Sequence, residues 1–139
     1  MADTVRKVEH FSTLVPDRPG QAFRVLSALV SAGVDLLACS GTQQGRRAQI
    51  EVVPDSSAKL RAAARKAGLA FEARKTGYLI RGEDRPGALA SHLAKLAAQQ
   101  INVTGIDALT AGKGRWGAII WVDPRHVAKA TRVLGARGR

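Results

Sequence analysis

Two stretches of the chain decide its fold, VPDRPGQAFRVLSALVSAGVDLLA at residues 15–38 and GEDRPGALASHLAKLAAQQINVTGIDAL at residues 82–109. Both contain the tetrapeptide Asp-Arg-Pro-Gly, at Asp17–Gly20 and Asp84–Gly87, and the two copies lie 67 residues apart. The same offset also superposes Leu26 on Leu93, Leu29 on Leu96, Gly45 on Gly112, Ala63 on Ala130, Arg65 on Arg132 and Gly68 on Gly135. Because self-similarity at a fixed offset indicates repeated units, we predict repeat 1 at residues 5–74 and repeat 2 at residues 75–139.

Hydrophobic periodicity gives each repeat the same order of elements. The predicted elements of repeat 1 are strands at 8–15, 34–41, 47–53 and 69–74 and helices at 20–32 and about 56–66. Those of repeat 2 are strands at 76–82, 102–110 and 115–122 and helices at 88–100 and 124–134. Its last strand is missing or degenerate, because residues 136–139 read Ala-Arg-Gly-Arg where repeat 1 has Leu-Ala-Phe-Glu. The order βαββαβ predicts an α+β fold of two ferredoxin-like repeats packed side by side, each an antiparallel sheet with helices on one face.

Composition narrows the class of protein. The chain has 139 residues, of which 45% are hydrophobic and 24% charged, as in ordinary soluble domains. Its single cysteine excludes a disulfide framework, and its three histidines are dispersed, so we expect no metal site. No apolar run is long enough to span a membrane, the start carries no secretion signal, and no catalytic motif is present. These observations predict a cytoplasmic protein that is not an enzyme and has no cofactor or membrane partner.

The net charge is unusually positive. Twenty-two Lys and Arg residues against eleven Asp and Glu residues give +11 at pH 7. A charge of this size is typical of proteins with anionic partners, nucleic acid included. The basic residues are scattered along the chain, which is equally consistent with a solvated surface rich in arginine. The sequence leaves both interpretations open.

The Asp-Arg-Pro-Gly turn has chemistry of its own because it joins a strand to a helix. Proline suits the first helical turn, and glycine allows a ligand to approach the backbone closely. The N–H groups that follow, from Gly20, Gln21 and Ala22 in repeat 1, favour an anion such as a carboxylate. Asp17 is suited to bind an ammonium group or to cap its own helix. A turn with no ligand remains the alternative.

Both quoted stretches resemble ACT domains, which are βαββαβ units of about 65 residues with Asp-x-Pro-Gly at the first strand-to-helix turn. The resemblance covers nearly the whole chain as a tandem pair. It extends to the start of the following strand, where a polar residue between apolar neighbours stands 18 residues after the aspartate, at Asp35 and Asn102. The family implies a non-catalytic regulatory module that usually binds an amino acid. We expect the module to stand alone, without a fused enzyme, and any regulated enzyme or transporter to be a separate chain.

The resemblance also implies where the ligand lies. Two units meet side by side, and the site is formed by the strand-to-helix turn of one and the start of the second strand of the other. Asn102 both donates and accepts hydrogen bonds, whereas ionised Asp35 only accepts and repels a carboxylate, so repeat 2 is better suited. The candidate ligand-binding residues are Asp84, Arg85, Gly87, Ala88 and Asn102 in repeat 2, with Asp17, Arg18, Gly20, Gln21 and Asp35 as counterparts in repeat 1.

Two other functions remain open from the sequence. RNA-recognition sheets share the βαββαβ order and stack bases on outward aromatic residues of the third strand. Trp116 is suited to such stacking, but Ala118 follows it on the same face, so no double aromatic platform exists. The other alternative is a ligand-free scaffold that pairs with an enzyme.

The third strand of repeat 2 also suggests an assembly. The offset of 67 places Gly117 and Ile119 on Ile50 and Val52, which are predicted to face the helices. An outer row of apolar residues is left on the open face of the sheet, and it consists of Trp116, Ala118 and Ile120. Because an exposed apolar row usually marks an interface, we predict a homodimer through these three residues.

Overall fold

Apart from the last strand predicted for repeat 1, which is described below, the predicted elements form with shifts of a few residues at their ends. The structure is a computed structural model, and it describes residues 3–72 and 75–138. The elements up to the second helix are β1 (Thr4–Pro16), α1 (Gln21–Ser31), β2 (Leu36–Gln44), β3 (Arg47–Pro54) and α2 (Ser57–Ala67). They are followed by β4 (Lys75–Glu83), α3 (Ala88–Ala98), β5 (Val103–Thr110), β6 (Arg115–Val122), a 3-10 turn (Pro124–His126) and α4 (Val127–Leu134). The fold class is therefore α+β, as predicted.

The chain divides into two units. The first unit is Glu9–Lys75, and the second unit combines Met1–Val8 with Thr76–Arg139. Strand β1 contributes to both, because the division falls between Val8 and Glu9. Residues 5–8, which the sequence assigned to repeat 1, thus lie in the second unit.

In the first unit the strand order is β2, β3, β1, and neighbouring strands are antiparallel. Both helices bury an apolar face against these strands, and the fully buried side chains include Val25 and Leu29 of α1, Leu60 of α2 and Val52 of β3. Ser56 caps the start of α2, because its hydroxyl accepts a hydrogen bond from the Lys59 N–H at 3.3 Å. Such a cap satisfies one of the helix-start N–H groups that have no partner within the helix.

The predicted last strand of repeat 1 is not formed at residues 69–72, and residues 73 and 74 lie outside the described residues. The segment 69–72 still lies beside β1: the Glu72 N–H donates to the Ser12 carbonyl oxygen at 2.7 Å, and the Thr13 hydroxyl donates to that of Ala70 at 2.6 Å. Isolated hydrogen bonds of this kind hold a segment without the regular ladder that defines a strand.

In the second unit β4 is flanked by β6 on one side and by β1 on the other. In the second unit, residues 4–8 of β1 therefore lie beside β4. In the first unit, the segment after α2 holds the equivalent position beside β1. Among residues 135–138, the part of the chain after α4 that the structure describes, one β-bridge is formed, between Arg137 and Arg6. Val5 packs in the core of this unit, with Tyr78, Leu96 and Ile120.

The third strand of repeat 2 is displaced by one residue from its predicted register. Phe11 pairs with Val52 in the first unit, and Tyr78 pairs with Ile120 in the second, so the offset is 67 in one strand and 68 in its partner. The extra residue lies in the hairpin loop. Residues 45 and 46 separate the paired Gln44 and Arg47, whereas three residues separate Ala111 from Arg115.

The prediction that Trp116, Ala118 and Ile120 form an exposed row is therefore wrong. They are 7%, 3% and 0% exposed and belong to the core beneath α3 and α4. Side chains alternate between the faces of a strand, so one additional loop residue moves every later side chain to the opposite face. All three residues of the longer loop, Gly112–Gly114, have positive φ.

Candidate functional site

The two Asp-Arg-Pro-Gly turns have the same backbone geometry. Gly20 and Gly87 precede α1 and α3 with φ of 87° and 79°, in the left-handed region that favours glycine. A side-chain carbon added to either would meet no atom within 4 Å, so the space in front of each helix is open. A Gly87→Val substitution would be strained by this positive φ alone. A loss of binding in that variant would therefore not show whether the side chain blocks access for a ligand.

In each turn, one of the backbone N–H groups that were expected to favour an anion already donates a hydrogen bond within the turn. The Gln21 N–H donates to the Arg18 carbonyl oxygen at 3.3 Å, and the Ala88 N–H donates to that of Arg85 at 3.2 Å. Ala88 is also buried, at 5% exposure. The first helical bond of α3 runs from the Ser91 N–H to Gly87, so the amides of residues 89 and 90 are those that face outward from the helix start.

A groove of about 490 Å³ opens beside this helix start in the second unit. It is lined by Asp84, Arg85, Gly87, Ala88, Leu89, Ala90, Leu93, Ala108, Leu109, Thr110 and Trp116. Four of the five candidates of repeat 2 therefore lie together. Asn102 does not join them, since it precedes β5 whereas the lining residues 108–110 end that strand.

Asp84 is exposed at the rim of the groove. Its N–H donates to the Gly114 carbonyl oxygen at 2.7 Å, which fixes the backbone. Within residues 3–72 and 75–138 its carboxylate has no hydrogen-bond or ion-pair partner. It is available to a cation from solution.

The corresponding carboxylate of repeat 1 is already engaged. Asp17 accepts a hydrogen bond from the Gln43 side-chain amide at 2.6 Å. Gln21 accepts one from Arg24 Nε at 3.3 Å, and Arg18 is exposed. Asp35 is exposed immediately before β2. The first turn is thus less ready for a charged ligand than the second.

A buried ionic cluster lies next to the groove, and the sequence did not reveal it. The Asp3 carboxylate, whose side chain is 3% exposed, receives two hydrogen bonds of 3.1 Å from the Arg85 guanidinium. His92 Nε2 lies 2.7 Å from Asp3 Oδ2 and is 6% exposed. The Trp116 indole N–H faces the same carboxylate without forming a well-aligned hydrogen bond to it. All four residues belong to the second unit.

This environment lowers the pKa of Asp3 from 3.8 to about 2. The hydrogen bonds from Arg85 are the largest cause, His92 and Trp116 add to it, and burial opposes it. A carboxylate whose pKa is lower in the folded state stabilises the fold above the unfolded pKa and loses that contribution as the pH falls towards the folded pKa.

We expect Asp3→Asn to destabilise the protein at pH 7 by at most about 2 kcal/mol, since Arg85 is partly exposed and screened by solvent. The difference between the two proteins should shrink as the pH falls from about 4 to 2. Urea unfolding at several pH values measures it, with the exposed Asp107→Asn as control. An unchanged difference at pH 2.5 would contradict the role of the Asp3 charge.

One signal in the sequence pointed towards this cluster. The offset of 67 superposes His92 on Val25, a fully buried core residue, so a polar side chain stands at a core position of repeat 2. Buried polar groups nearly always have a partner. Asp3 itself precedes both repeats and has no counterpart, so the sequence does not identify it as that partner.

Neither a metal site nor a membrane-spanning helix is found in the described part of the chain. Its His, Cys, Asp and Glu side chains form no group of three or more that is suited to hold a metal ion. Its helices are also too short or too polar to cross a lipid bilayer. Cys39 is exposed, and partial desolvation raises the pKa of its thiol.

Comparison with known proteins supports the fold. No protein-family model and no curated protein matches the sequence. Protein BT0572 from Bacteroides thetaiotaomicron superposes with a TM-score of 0.80 at 18% identity, over 94% of this chain and 88% of that one. The ligand-free regulatory subunit of aspartate kinase from Thermus thermophilus gives 0.65 at 19% identity, over 97% and 95%. The regulatory subunit of aspartate kinase from Thermus flavus gives 0.57 at 18% identity, over 96% and 94%.

These similarities extend over nearly the whole length of each chain. At 18–19% identity they establish the fold and nothing finer. The chain has the ACT-type fold that regulatory subunits of aspartate kinase also have, as the tetrapeptides predicted together with the order of elements and the polar residue that opens the following strand.

Proposed function

We propose that this protein is a non-catalytic regulatory module that binds a small α-amino acid in the groove of its second unit. The observation that carries the proposal is the free Asp84 carboxylate at the rim of a groove that begins at the start of α3. A negative side chain and a helix start lie close together there, and an amino acid carries the two complementary charges on adjacent groups.

The groove offers a partner to each part of such a ligand. Outward backbone N–H groups of residues 89 and 90, together with the helix dipole and the partly exposed guanidinium of Arg85, favour the α-carboxylate. Asp84 favours the α-ammonium group. The remaining lining includes Leu89, Leu93 and Ala108, which suit an apolar side chain. The ligand class is therefore an α-amino acid with an apolar side chain.

The regulatory role is supported by the fold. Regulatory subunits of aspartate kinase superpose on nearly the whole chain, and we propose that this protein likewise acts on a separate metabolic enzyme. Asn102 and Asp35, which the ACT resemblance implies as ligand-binding residues, remain proposed contributors to binding. A homodimer also remains a proposal, but the three residues first assigned to its interface are buried within one chain.

The alternative of RNA binding depended on an exposed aromatic side chain at Trp116, and the structure removes that support. Trp116 is 7% exposed in the core and has no face on which a base can stack. The positive charge remains, but scattered charge alone does not distinguish a nucleic-acid site from a solvated surface. A ligand-free scaffold is the outcome expected if the following experiment finds no ligand.

We expect at least one apolar amino acid to raise the Tm of the wild-type protein in a thermal-shift screen of the twenty standard amino acids. A ligand at 100 times its Kd stabilises the folded state by about 2.7 kcal/mol. Asp84→Asn should weaken binding about tenfold, as expected for the loss of one charged hydrogen bond. Calorimetry on the selected amino acid measures the change.

The repeat provides a matched control. Asp17→Asn changes the same residue of the same tetrapeptide in the first unit, where the carboxylate is already bonded to Gln43. It should leave the affinity unchanged. A larger loss in Asp17→Asn than in Asp84→Asn would contradict the assignment to the second unit, and a screen without any stabilising amino acid would contradict the proposed function.

A further inference from the structure

We propose that Arg85, His92 and Trp116 form a carboxylate-binding site whose resident occupant is Asp3, and that a ligand carboxylate in the groove competes with Asp3 for Arg85. The competition for Arg85 rests on the proposed function, whereas the carboxylate-binding site does not. The site differs from the helix start described above, since its contacts are side chains beneath the turn.

The geometry of the cluster is that of a bound carboxylate. Both oxygens of Asp3 are engaged by the Arg85 fork at 3.1 Å, the arrangement that guanidinium groups favour with carboxylates. His92 adds a third contact at 2.7 Å. The carboxylate lies directly over Gly82, where a side-chain carbon would collide with it. The absence of a side chain at this glycine therefore leaves the space that the carboxylate fills.

Arg85 connects this cluster to the groove. Its side chain is 44% exposed, whereas those of Asp3 and His92 are 3% and 6% exposed. Arg85 also lines the groove, so a ligand there can reach the guanidinium without entering the buried cluster. Both terminal nitrogens already bond to Asp3, and Nη1 bonds in addition to the Glu83 carbonyl oxygen at 3.1 Å.

The two carboxylates consequently exclude each other at the fork. The parallel N–H groups of Nη1 and Nη2 form one carboxylate-binding end of the guanidinium, and a ligand carboxylate that takes this end leaves Asp3 with His92 alone. A buried carboxylate that loses its charged partner is strongly disfavoured. Asp3 therefore lowers the affinity of the groove for any ligand that uses Arg85. Val5 and the rest of β1 keep their own contacts when the Asp3 side chain is displaced.

The first experiment tests the carboxylate site with acetate as probe. Asp3→Ala empties the space over Gly82, and acetate should raise the Tm of this variant by about 3–6 °C at ten times its Kd, relative to chloride at equal ionic strength. Wild-type protein and Asp107→Ala should show no such acetate effect. An equal response of all three proteins would overturn the site.

The second experiment tests competition with the amino acid selected by the screen. Asp3→Asn keeps the shape but removes the charge, and it should lower the Kd for the amino acid about tenfold. Unchanged or weaker binding would overturn the competition, because a residue that merely positions Arg85 would strengthen binding when present. If no amino acid binds either protein, the proposed function fails, and the acetate result alone decides the carboxylate site.

Discussion

Replacing Trp116 by glutamate is expected to unfold the second unit. Trp116 is 7% exposed, lies in the core with Ile80 and Ala118, and its ring centroid is 6.1 Å from that of His92. Removing a buried aromatic side chain costs about 3–5 kcal/mol. The new carboxylate adds the cost of a buried charge and lies near that of Asp3. Together these terms approach the whole stability of an ordinary domain, about 5–15 kcal/mol.

Far-UV circular dichroism and urea unfolding measure this loss, and Gln49→Glu is the matched control. The constant offset of 67 equates Gln49 with Trp116, but Gln49 is only partly buried and its side chain bonds to Gln44 at 2.7 Å. We expect its substitution to change the free energy of unfolding by less than about 0.5 kcal/mol. Light scattering on the same samples reports assembly. A folded Trp116→Glu variant that dissociates from dimer to monomer would contradict the buried position.

The order of elements was predictable because each element carries a strong local signal. Helical apolar spacing is clear in α1 and α3, and proline and glycine mark both helix starts. The register of β6 was not predictable in the same way. Ala118–Trp121 is an unbroken apolar run, so either face is acceptable as the core face, and periodicity gives no decision. The register depends instead on the length of the preceding loop, which the constant offset concealed.

The candidate site was predictable in part for a similar reason. The tetrapeptides located the helix starts and the exposed aspartates, since local sequence determines both. The partner of Arg85 depends on a contact between residues 82 positions apart. No repeat, motif or spacing connects Asp3 with Arg85, and only the folded second unit brings them together.

The last prediction concerns a fragment that begins at residue 75, which we expect to be unfolded. Residues 3–8 belong to the second unit, and the fragment lacks them. It loses the buried side chain of Val5, worth about 1.5–3 kcal/mol, and two backbone hydrogen bonds with Arg137 of about 1 kcal/mol each. His92 also remains buried without Asp3. Together these losses are as large as the free energy of folding that a core of this size supplies, which is about 3–5 kcal/mol.

NMR spectroscopy of the isolated fragment tests this dependence, and complementation separates it from a general weakness of short chains. A peptide of residues 3–8 in excess should restore dispersed amide signals, because it supplies the strand that lies beside β4. The same peptide with Val5→Asp should not restore them, since the aspartate would be buried in the core without a partner. A fragment that is monomeric and well dispersed without any peptide would show that the second unit does not need the first strand of the chain.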